Sequence, residues 1–142
     1  MTGIHVAFLE TNRTGSGYEV MRVAKARGWQ VTLVAKDFDF YLQPGQQQIP
    51  MDVFDEVVKC DTDDPETVAS ILSQRPDRPD ALVSASEFHM LAAAKVGRLL
   101  GVRGQNPEAV RACRDKSLGR RLCASAKVPI PRFVLAATPE EA

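Results

Sequence analysis

Cysteine, aromatic residues and long apolar runs are all scarce in this chain of 142 residues. Its cysteines, Cys60, Cys113 and Cys123, are odd in number and show no CxxC spacing, which argues against a disulfide frame or a zinc site. They read as free thiols in a reducing compartment. No apolar run exceeds a few residues, so no membrane span and no membrane partner are expected. The N-terminal Met1-Thr2-Gly3-Ile4-His5-Val6 lacks the basic flank and apolar stretch of a secretory signal, and a cytoplasmic location is the expectation. The Asn12-Arg13-Thr14 sequon is therefore idle. Aromatic residues make up only 6%, too few to interleave the arginines as base-stacking platforms, so no nucleic-acid partner is expected. There is no internal repeat, P-loop, HExxH or Ser-His-Asp grouping, and no nucleophile has an identifiable base.

What is present is the composition of an ordinary globular domain, 44% apolar and 25% charged. Net charge is zero, but it is unevenly placed. Residues 1–94 carry 8 basic and 14 acidic side chains, whereas residues 95–132 carry 10 basic and 2 acidic ones, Glu108 and Asp115. Such a basic segment is either a solvated helical face or a surface for an anion, with Arg98, Arg103, Arg111, Arg114, Arg120 and Arg121 as its cations.

The first hundred residues alternate strand and helix signals. Ile4–Leu9 and Val31–Ala35 are short continuous apolar runs of the kind buried on both faces. Between them, Ser16 and Glu19 form a capping-box pattern, Val20, Val23 and Ala24 recur at helical spacing, and Gly28 stands where a helix stops. Residues 37–52, rich in Gln, Pro and aromatics, read as an irregular loop. A strand follows at Glu56–Cys60, then a helix capped by Asp64 with Pro65 in its first turn, then a strand at Ala81–Ser84. Phe88–Leu100 reads as a helix with Phe88, Leu91, Ala92, Val96 and Leu99 on one face, ended by Gly101. Strands separated by helices, without hairpins, predict an α/β fold with a parallel sheet flanked by helices. Beyond Gly104, Asn106-Pro107 and Asp115 open two short helices, the second carrying Leu118, Leu122 and Ala126. Val128-Pro129-Ile130-Pro131 is extended, and the tail reads as the start of a further helix. That tail implies a longer parent chain.

Ligands of an open parallel sheet collect at the carboxyl ends of its strands, which directs attention to Glu10–Gly17, Lys36–Asp39 and Ser84–Glu87. Gly15-Ser16-Gly17 at a helix start could cradle a phosphate, and Asp37 lies where a ribose-binding acid would. Val20, however, stands where the dinucleotide fingerprint has its third glycine. A flexible helix-capping loop accounts for the same residues. Ser84, Ser86 and Glu87 are either a ligand-reading cluster or first-turn caps. His5 and His89 have no partner at metal spacing and read as ordinary histidines. Lys116 sits at the unfavourable end of a helix dipole, an arrangement that gains meaning if an anion sits nearby.

The run Gly101-Val102-Arg103-Gly104-Gln105-Asn106-Pro107, then Cys113-Arg114-Asp115-Lys116, Arg120 and Val128-Pro129-Ile130-Pro131, resembles the ATP-grasp ligases. The resemblance covers nearly the whole chain. It implies a pre-ATP-grasp Rossmann-like domain over residues 1–104, with residues 105–142 as linker helices and a Pro-rich strand entering an ATP-grasp domain that lies beyond. By it, Lys116 matches a lysine contacting the nucleotide phosphates. Glu10, Thr11, Asn12, Ser86 and Glu87 fall where relatives bind their substrate. The family joins a carboxylate to an amine through an acylphosphate, using ATP and Mg2+. The implied partner is a small-molecule carboxylate or amino acid, with assembly into a homodimer left open. The absence of a glycine motif after the first strand sets the chain nearer the amino-acid and peptide ligases, with a carbamoyl-phosphate-synthase-like branch as the other resemblance. The family's glycine-rich lid and its magnesium ligands fall downstream of the Pro-x-Pro segment, so this segment alone is not expected to catalyse ligation. The alternative is a non-catalytic dinucleotide-binding or regulatory module resting on Gly15, Gly17 and Asp37.

Overall fold

A computed structural model of the chain describes residues 3–13, 16–43 and 50–141. It divides into two compact units, residues 1–107 and 108–142. The first holds a four-stranded parallel sheet built from β1 (His5–Leu9), β2 (Gln30–Ala35), β3 (Glu56–Lys59) and β4 (Ala81–Val83), in the order β3-β2-β1-β4. Its helices are α1 (Ser16–Ala26), α2 (Pro65–Ser73) and α3 (Met90–Leu100).

Every residue of β1 is buried, because side chains alternate between two packed faces. Val6 and Phe8 join Met21 and Ala24 of α1 with Val31 and Leu33. Ala7 and Leu9 join Val34, Val68, Leu72, Leu82 and Val96 on the side of α2 and α3. Burying a side chain such as Leu33, Leu72 or Leu82 contributes about 1.5–3 kcal/mol. The continuous apolar runs of the sequence are thus those of strands covered on both sides.

Two expected helix faces differ in phase. In α1, Val20 and Val23 are exposed while Gly17, Met21 and Ala24 are buried. In α3, Ala93, Ala94, Val96, Gly97 and Leu100 are buried and Leu99 is exposed. Phe88 precedes the helix and is open to solvent. Small residues such as Gly17, Ala24, Ala93, Ala94 and Gly97 share these buried faces with Met21, Val96 and Leu100. The loop between β2 and β3 holds a 3₁₀ turn, Asp39–Leu42, and supplies Tyr41, Val53 and Phe54 to the α1-side core.

Gly101 ends α3 in the left-handed region, φ 67°. The chain then returns beside β4. Leu82 N–H donates to Arg103 O at 2.9 Å and Arg103 N–H to Asp80 O at 3.1 Å, a parallel bridge on the sheet's outer edge. A Cβ on Gly104 would stand 3.0 Å from Leu82 O, a tight contact that a larger residue could make only by shifting the neighbouring backbone by a few tenths of an ångström.

In the second unit α4 (Pro107–Arg114, its first residue in the first unit) and α5 (Lys116–Ser125) follow, then an irregular segment and a 3₁₀ turn at Pro139–Glu141 rather than a regular helix. A Cβ on Gly119 would lie 2.6 Å from Ala112 O, so α5 crosses α4 with almost no room between backbones. None of the α5 residues is buried, including Leu118 and Leu122.

Candidate functional site

In this strand order the chain leaves β1 toward β2 on one side and later places β4 on the other, which makes the carboxyl end of β1 a topological switch point. A cleft of about 520 Å³ opens there. Each strand contributes to it: Glu10, Thr11, Asn12 and Arg13 follow β1, Lys36 and Asp37 follow β2, Thr62 and Asp63 follow β3, and Ser86, Phe88 and His89 follow β4.

Glu10 is the hub. Its backbone is in the left-handed region, φ 51°, an uncommon conformation for a residue with a Cβ. That turn sends a buried carboxyl group across the ends of the neighbouring strands. Oε1 accepts from Lys36 N–H at 2.7 Å and from Thr62 Oγ1–H at 2.8 Å, and Oε2 accepts from the Tyr41 phenol. Burial and the bond to Glu10 push the Tyr41 phenol above its ordinary range. Thr11 N–H donates to the same phenol oxygen at 3.1 Å. Strained backbone held by a complete set of hydrogen bonds is a feature of sites that position other groups.

Around this hub the walls are ordered by local chemistry. Asp37 Oδ1 accepts from the N–H groups of Asp39 and Phe40 at 3.0 and 3.3 Å, an Asx turn that starts the 3₁₀ turn. Arg13 donates to Phe40 O at 2.9 Å and its guanidinium lies 4.0 Å from the Phe40 ring centroid. Lys36 pairs with Asp61 at 2.8 Å and Asp63 at 2.6 Å, and these hydrogen bonds hold its ammonium above its ordinary range. Across the switch point Ser84 Oγ accepts from Ser86 N–H at 3.0 Å and stands 3.4 Å from Glu10 O, and Ser86 Oγ meets His89 Nδ1 at 3.0 Å.

The structure therefore brings together Glu10, Thr11, Asn12 and Ser86. Glu87 is exposed and lies outside the cleft lining. His89, expected to be an ordinary surface or boundary histidine, is half-buried and forms part of the wall. Arg13, Phe40, Tyr41 and Thr62 had no signal in the sequence beyond lying near strand ends. His5 sits away from the cleft, buried, with Nε2 2.8 Å from Thr32 Oγ1.

The features suggesting a dinucleotide also have local structural work. A Cβ on Gly17 would fall 2.2 Å from Asn12 O, so this glycine admits the loop against the start of α1. Asp37 is engaged in its turn, and Gly15 lies outside the described residues. Lys116 opens α5 in the second unit. The N–H groups of Ser117 and Leu118 already donate to Asp115 Oδ1 at 2.9 and 3.0 Å. The anion position at that helix end is filled by a side chain, and a nucleotide phosphate would meet the Lys116 ammonium without those donors. Among the described residues no three His, Cys, Asp or Glu side chains form a group able to hold a metal.

The first unit is thus a Rossmann-like α/β domain with a polar cleft at its switch point. The solved structure of an L-amino acid ligase from Bacillus licheniformis shares this fold. It superposes with a TM-score of 0.67 over 92% of this chain at 19% sequence identity, and the match covers 32% of the ligase chain. Neither protein-family models nor curated proteins give a sequence match. Among the described residues no helix is long and apolar enough to cross a membrane.

Proposed function

We propose that this chain is the N-terminal part of an ATP-dependent carboxylate–amine ligase of the amino-acid type, acting through an acylphosphate. Residues 1–104 are its pre-ATP-grasp domain and residues 105–142 lead into the ATP-grasp domain. The reading is supported above all by the cleft at the β1–β4 switch point, where Glu10 organises four strand-end loops. The shared fold with an L-amino acid ligase and the Asp115-Lys116 and Val128-Pro-x-Pro131 segments agree with it. In this reading the cleft receives a small amino-acid substrate, with Asn12, Thr11 and Ser86 at its wall. Lys116 contacts the nucleotide through its side chain. In this reading the metal ligands lie downstream of residue 142, so this segment binds substrate without turning it over.

The test has two arms on the same preparation. Calorimetric titration with an equimolar mixture of L-amino acids should give saturable heat, which Ser86→Ala and Asn12→Ala weaken about tenfold, equivalent to about 1.4 kcal/mol. With Mg-ATP and the same mixture, phosphate release should stay at background. Turnover by this chain, or protection from thermal unfolding by NAD in place of amino acids, would overturn the reading.

A further inference from the structure

The chemistry of the cleft lining narrows what it can hold. Its charged residues are Arg13 and Lys36 against Glu10, Asp37 and Asp63, a formal balance of −1. Lys36 is already engaged by two aspartates. A di- or triphosphate brought here would face a lining of net negative formal charge, whereas nucleotide sites concentrate N–H donors and positive charge. A small zwitterion suits both signs. The lining carries a cation for its carboxylate, Arg13, and acidic groups for its ammonium.

The apolar part of the lining is equally informative. Phe88 is 83% exposed and Phe40 41% exposed, although both border a cleft whose other residues are mostly polar. Phe40 is held in place from two sides. Arg13 lies over its ring, and its neighbour Tyr41 is buried and fixed by Glu10. An exposed ring kept in one orientation is a surface prepared for contact, since covering it gains about 25 cal/mol per Å² of apolar area. Phe88 enters from the other side of the switch point, on the turn that carries Ser86.

From charge balance and exposed aromatic surface together we infer that the cleft selects an amino acid with a large apolar side chain. Phe40 and Phe88 are the specificity-determining contacts. Glu10 is a positioning residue that acts through Tyr41. The inference rests on the cleft being a substrate site, as proposed above, and adds which substrates it prefers.

The experiment measures dissociation constants of the chain for free L-leucine, L-phenylalanine, L-alanine and L-glutamate. Leucine and phenylalanine should bind about tenfold or more tightly than alanine, and glutamate most weakly. Phe88→Ser should reduce the leucine-to-alanine ratio to about threefold or less, and Phe40→Ser should do the same. Because Phe88 lies outside the core, an unchanged urea midpoint will separate loss of selectivity from loss of fold. Glu10→Gln should lower the same ratio, since it weakens the anchor of Phe40, and a Glu10→Gln ratio equal to the parent's would remove its positioning role. Equal affinities for all four amino acids, or tighter glutamate binding, would overturn the inference and leave the ligase reading standing. Displacement of leucine by inorganic triphosphate would overturn the charge argument. If no amino acid binds, the substrate-site reading itself fails and takes the inference with it.

Discussion

At the scale of single residues, the buried bond between Tyr41 and Glu10 joins stability to the site. Removing the phenolic hydroxyl leaves a buried carboxyl oxygen without its donor, a loss of about 1–3 kcal/mol. Tyr41→Phe should therefore unfold at a lower urea midpoint than the parent, with an unchanged m-value. The pH dependence follows from the raised phenol. A folded state that favours the protonated phenol keeps this contribution below the unfolded tyrosine value of about 10 and loses it as pH rises past that value. The parent should thus weaken on the alkaline side more steeply than Tyr41→Phe. Equal alkaline limbs would place the phenol outside the network. Little of this was legible beforehand. Glu10 stood out as a strand-end acid, but its partner Thr62 is 52 positions away, and Tyr41 lies in a segment with no periodic pattern. Pairings across such distances are set by sheet order, which no local motif encodes.

Elements were more legible than their faces. Asp64 caps α2 by accepting Glu66 N–H at 3.1 Å, with Pro65 in the first turn, and Gly28 and Gly101 end α1 and α3 with positive φ. These features depend on neighbours in sequence and so appear in it. By contrast α5 is followed by Lys127 at φ 57°, a left-handed residue that carries no glycine signal. The buried faces of α1 and α3 mix small residues with Met21, Val96 and Leu100, because the face turned to the sheet is decided by packing between elements and not by the most apolar periodic pattern. The cap of α5 gives an element-scale prediction. Hydrogen bonds from Leu118 and Ser117 hold the Asp115 carboxyl below the usual aspartate range. A depressed carboxyl stabilises the helix start above the unfolded value of about 3.9, and that contribution disappears as pH falls through the lower folded value. The amide shifts of Ser117 and Leu118 should show an acidic inflection below that value. Asp115→Asn should retain the cap, since asparagine serves as well at this position, while abolishing the inflection. An inflection that survives the substitution would assign the titration to another group.

For the whole molecule, the distribution of buried side chains separates what can fold from what only forms helices. Both core clusters and the entire cleft lining belong to residues before 108. In residues 108–141 the single buried side chain is Val110, and the helices there span 8 and 10 residues including Pro107. Isolated helices shorter than about 12–15 residues are marginal in water, because nucleation outweighs the few bonds that propagation adds. A chain ending at residue 107 should accordingly retain one cooperative urea transition and bind leucine within about twofold of the 142-residue chain. A peptide of residues 108–142 should show partial helicity that fades gradually with temperature, with no transition midpoint. Circular dichroism on the two pieces distinguishes the outcomes. A cooperative transition in the peptide would mean that the close α4–α5 crossing at Gly119 is enough to organise it. Loss of cooperative folding in the 107-residue piece would make residues 108–142 part of the sheet domain's stability, and the cleft would then depend on the whole chain.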